Sequence, residues 1–97
     1  MDNAMLLREI AFAAEEMHSV DDPDDFAELM KRVMRAVRSD IAPFNGLWRA
    51  VAGHLGERAL AYGYDVVEGR IAPTPRFRRT FVGVVKKWLE EERAARV

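Results

Sequence analysis

Few side chains in this sequence are of a kind that does covalent or acid–base chemistry. The histidines are His18 and His54, and neither His-x3-His nor His-Glu-x2-His occurs, so a zinc site has no local scaffold. The absence of cysteine removes thiolate nucleophiles, disulfides and thiolate metal sites. Hydroxyls are scarce: Ser19 and Ser39 follow expected helices, Thr74 reads as a helix cap and Thr80 lies inside a helix. No nucleophile has a base at a recognisable spacing. The sequence therefore reads as non-catalytic, with no cofactor, no metal and no evident small-molecule substrate.

Two short stretches resemble ligand loops. Asp21-Asp22-Pro23-Asp24-Asp25 is acidic enough for calcium, but Phe26 falls where a ligand is required and no glycine makes the sharp turn. Helix capping accounts for these carboxylates instead. Gly53-His54-Leu55-Gly56 resembles the glycine loop with which some RNA-binding domains clamp a backbone. It lacks the flanking strands and the basic residue between the glycines, and a helix break is the better reading.

Charge is the stronger signal. The net charge of −1 conceals a polarised chain: residues 1–28 carry nine carboxylates against Arg8, and residues 29–89 carry twelve Lys and Arg against four carboxylates. Such asymmetry implies charged partners, or acidic and basic elements that pack on one another. Lys31, Arg35 and Arg38 on one helix, with Arg76, Arg79, Lys86 and Lys87 on the last, would make a phosphate-binding stripe if those two helices lay side by side. The acidic side of the first helix, Glu9, Glu15 and Glu16, offers these cations an internal alternative.

The elements that must position these groups are helical. Ninety-seven residues with 49% hydrophobic and 32% charged content suit a single domain (1–97) with one core. A first helix over 3–18 buries Leu6, Ile10, Ala13 and Met17 at helical spacing. Met5 and Phe12 fall on another side, which predicts either a helix wedged between two neighbours, the favoured alternative, or an exposed apolar face. Asp22 and Pro23 open a second helix with Phe26, Leu29, Met30, Val33 and Val37 inward, ending near Ser39 ahead of Pro43. With Asn45 as cap, two short helices follow over 46–55 and 57–67, bent near Gly56. A rival hairpin pairs 65–67 with 70–72 across Glu68-Gly69, giving a winged-helix shape. Thr74 and Pro75 open the last helix, with Phe77, Phe81, Val84, Val85 and Trp88 inward and fraying expected over 90–97. The predicted fold is all-α, a compact bundle of four to five short helices.

Within Tyr64–Glu91, the spacing Thr80-x3-Val84-x3-Trp88 resembles the Tyr-x3-Ile-x3-Trp helix of bacterial primosomal helicase loaders, which contributes to single-stranded DNA binding. Thr80 replaces the first aromatic and the likeness covers under a third of the chain, so no family is assigned and Trp88 is expected in the core. No apolar run reaches the ~18–20 residues of a membrane span, and a cytoplasmic setting follows as an expectation. Arginine outnumbers lysine twelve to three, as in proteins of GC-rich bacterial or phage genomes. The leading reading is an interaction or regulatory module that binds a protein partner or self-associates through Met5, Glu9, Phe12 and Glu16. The alternative is a DNA- or RNA-binding accessory protein that uses the basic residues.

Overall fold

The strongest local signals produce the expected helix starts. In the computed structural model, which describes residues 3–39 and 42–95, Asp22 adopts extended backbone and its carboxylate accepts from the N–H groups of Asp24 and Asp25. Pro23 follows as the first residue of α2 (Pro23–Arg38), where its missing N–H costs nothing. Thr74 caps α5 (Pro75–Ala95) in the same manner, its hydroxyl accepting from the Phe77 N–H. The remaining helices are α1 (Asn3–Glu15), α3 (Ala42–Leu55) and α4 (Ala59–Val67), and no strand occurs among the described residues. The protein is an all-α bundle of five helices.

Several boundaries differ from the sequence reading. The first helix stops at Glu15, not His18, because the chain turns there to deliver Asp22: the His18 N–H donates to Asp25 and the Asp21 N–H to Ser19. Asn45 is inside α3, not its cap. Pro43 sits in the first turn, where its fixed φ suits helix, and this earlier start carries Phe44 into the core against Trp88. The hairpin does not form, since residues 65–67 complete α4. Gly69, at φ +76°, instead closes a Schellman cap: its N–H donates to the Val66 carbonyl and the Arg70 N–H to that of Asp65. The stretch expected to fray from Glu90 is helical as far as Ala95, and Arg93 pairs with Glu15 of α1; Arg96 and Val97 lie outside the described residues.

The core explains the arrangement. α2 packs on α1, α3 and α4, while α5 packs mainly on α3 and on α1. Phe26 is 1% exposed and meets Phe77 and Phe81 edge-on at 6.3 and 5.8 Å. Burying one such ring is worth roughly 1.5–3 kcal/mol, and each edge-to-face pair adds about 0.5–1.5. Leu6, Ile10, Leu29, Met30, Val33, Leu47, Val51 and Val85 complete one continuous apolar interior. Gly63 is buried where α4 meets α2, and a methyl group there would make ordinary contact with the sulfur of Met34 at 3.4 Å. The stripes of the first, second and last helices point inward, although Met17 and Val37 are only partly buried.

Candidate interaction surfaces

Met5 and Phe12 lie on the outer side of α1, and the expected wedge between two neighbours is not found: they are 46% and 59% exposed. Helix α1 needs only one face for α2 and α5, because Leu6, Ile10, Ala13 and Ala14 fill both contacts. Small Ala11, Ala13 and Ala14 widen the buried stripe cheaply and leave Phe12 outside. Met5, Ala11 and Phe12 line a shallow depression together with the charged residues Arg8, Glu9, Glu15, Arg32 and Arg93. The Arg32 guanidinium stands 5.8 Å from the Phe12 ring centre and also donates to the Glu9 carbonyl. Glu9 pairs with Arg35 at 3.5 Å, and Glu16 is exposed just beyond the helix end.

The basic residues do not converge on one face, as the sequence reading required. α2 and α5 are not packed side by side; they meet through Phe26 against Phe77 and Phe81. Of the α2 cations, Arg35 turns to Glu9 of α1, Arg38 covers the ring of Tyr64 at 4.7 Å, and Lys31 borders a depression with Asp24, Ala27, Glu28 and Val67. On α5, Lys86 faces the α1 side beside Glu15 and Glu90. Arg76, Arg79 and Lys87 open toward α3 and α4. The internal alternative is thus realised in part: the acidic side of α1 is met by Arg35 and Arg93.

A groove runs along the seam of α3 and α5. It encloses about 670 Å³ and is lined by Gly46, Ala50 and His54 on one side and Arg79, Gly83, Lys87 and Glu91 on the other. The helices run antiparallel here, because Phe44 near the start of α3 touches Trp88 and His54 near its end borders Arg76. Arg79, Lys87, Arg76 and Arg58 make no ion pair among the described residues, whereas Arg32, Arg35, Arg70, Arg78 and Arg93 do. Gly46, Gly53 and Gly83 are exposed, and a methyl group on any of them would meet nothing within 4 Å.

His54 and the carboxylates Glu91 and Glu92 line the same depression but lie at opposite ends. The twelve residues from Arg79, on the His54 side, to Glu91 amount to roughly 18 Å of helix. That is far beyond the reach needed for a general acid–base pair. No three His, Asp or Glu side chains gather as metal ligands among the described residues, and none of the described helices is long and apolar enough to cross a membrane. Comparison with protein-family models, curated proteins and solved structures finds no match for the chain.

Sequence reasoning missed Arg58, His54, Glu91 and Glu92 as neighbours of the α5 cations. Their signal was weak, because α3 and α4 meet α5 only through long-range packing. It also missed Arg78, which ties two loops together. One nitrogen donates to the Pro73 carbonyl at 3.0 Å and another to Asp21 at 3.2 Å, while its Nε is buried without a hydrogen bond. Nothing local to Arg78 in the sequence marks that role.

Proposed function

We propose that this chain is a non-catalytic docking module that binds a protein partner through the Met5–Phe12 side of α1. The observation that carries the reading is the exposure of the Phe12 ring, 59%, on a helix whose opposite face is sealed in the core. Large aromatic side chains at the centre of a patch, with charged residues at its rim, are the usual anchors of protein interfaces. Arg32 above the ring and the mixed charges around it provide such a rim. The test is a pull-down from native cell extract with wild type and Phe12→Asp as baits, with and without nuclease. A protein retained by wild type after nuclease and lost with Phe12→Asp supports the reading. Retention that survives the substitution, or depends on nucleic acid, refutes it.

A second reading draws on Arg58, Arg76, Arg79 and Lys87 beside the α3–α5 groove, which make no ion pair among the described residues. Phosphate backbones bind such stripes with affinity that falls steeply with salt. This reading has lost the α2 half of its proposed surface, since Lys31, Arg35 and Arg38 lie elsewhere. An oligonucleotide shift at low salt that vanishes in Arg79→Glu/Lys87→Glu would support it.

A further inference from the structure

The α3–α5 groove reads plus, plus, minus along its length: Arg79, Lys87, then Glu91 beside Glu92. The outward side of α2 reads minus, minus, plus: Asp24, Glu28, Lys31, all exposed and on one helical face by their spacing of four and three, with Glu28 also in an exposed bridge to Arg32 of its own helix that the contact would exchange. Ala27, also exposed, is the small residue among them. We propose that the α3–α5 groove receives the outer face of α2 from a second copy of this chain. Glu28 of the incoming helix then faces Lys87 and Lys31 faces Glu91, separations of about 4.5 and 6 Å along the two helices, while Asp24 lies level with Gly83, where the long Arg79 side chain reaches it, and Ala27 lets the helices approach.

Three observations favour this occupant. Arg79 and Lys87 make no ion pair among the described residues, while five other arginines do. Gly83 sits in the interior of a 21-residue helix, and among the described residues an added methyl group there would meet nothing within 4 Å. Glycine there weakens the helix by about 1 kcal/mol against alanine, a cost that leaves room for a backbone arriving from outside. The change of charge sign at Glu91 and Glu92 opposes a uniformly negative nucleic acid but suits a helix whose own charge changes sign. A chain cannot fill its own groove with α2, because that helix is held on α1, α3 and α4 with its polar face turned to solvent. Donor and acceptor surfaces are different patches of the chain, so head-to-tail repetition of the contact builds chains or rings. The facing charges are exposed, so association is weak and salt-sensitive.

Sedimentation of the full chain at low and high salt tests the proposal. The mass should rise from 11.1 kDa over protein concentrations of about 10 µM to 1 mM in low salt, a range proper to weak contacts, and fall back at high salt. Arg79→Glu/Lys87→Glu and Asp24→Lys/Glu28→Lys should each be monomeric, and their mixture should associate again, because the reversed surfaces now match each other. Gly83→Leu, which adds bulk only to the groove floor and strengthens α5, should be monomeric with full helical content. Phe12→Asp should associate like wild type, which separates this contact from the α1 surface. The proposal is overturned if wild type stays monomeric to about 1 mM, if association survives Gly83→Leu, or if the mixture of charge-reversed variants stays monomeric. A monomer that binds a labelled thymidine oligonucleotide through the same cations overturns it equally.

Discussion

Replacing Gly83 with alanine should make the protein more stable, and the structure says by how much. Gly83 is the ninth residue of α5, with two or more helical turns on either side. Its backbone is helical with no positive φ, its surroundings are open, and an added methyl group meets no atom within 4 Å. The full helix-propensity difference of about 1 kcal/mol is therefore available, part of it from a less disordered unfolded chain. For a domain of this size that is a rise in Tm of roughly 4–8 °C. Gly46 and Gly53 lie nearer the ends of α3 and should give less, so the triple alanine variant should gain about 2 kcal/mol in all. The same substitution at Gly56 (φ +94°) or Gly69 (φ +76°) should lower stability by about 1–2 kcal/mol, because alanine resists that backbone region. Thermal and urea unfolding followed by circular dichroism at 222 nm measures all five. A neutral or negative effect at Gly83, or equal effects at Gly83 and Gly69, would refute the argument.

Other substitutions probe the remaining contacts. Gly63→Ala should be tolerated, as its methyl group makes ordinary contact with Met34, whereas Gly63→Val should cost about 1–3 kcal/mol by overpacking the α2–α4 contact, read from urea midpoints. Asp22→Ala strips the cap from α2 and leaves the Asp24 and Asp25 N–H groups unpaired, a loss of about 1 kcal/mol on the same assay. Arg78→Met should show whether the loop clamp matters: if it does, amide exchange at Asp21 and at Thr74, next to the Pro73 carbonyl, quickens while the α2 core stays protected. Phe12→Asp should change stability by no more than about 0.5 kcal/mol, since the ring lies outside the core.

The sequence by itself determined the helices and their inward faces. Asp22-Pro23 and Thr74-Pro75 are signals made within a few residues, so they survive any tertiary context, and the spacing of Phe26, Leu29, Met30 and Val33 admits only one buried side. The α1 stripe was legible for the same reason, and so was the offset of Phe12 from it. Tertiary structure alone decided what lies beside each outer face. Asn45 lost its capping role because burying Phe44 against Trp88 outweighed a local preference. Glu68-Gly69 is compatible with a hairpin or a helix end, and the packing of Val66 into the core chose the helix. The two sets of cations were separated by the path of the chain, since helical periodicity fixes the side a residue occupies on its own helix but carries no information about which helix arrives opposite. That choice belongs to the shared apolar interior, formed by contacts between residues far apart in sequence.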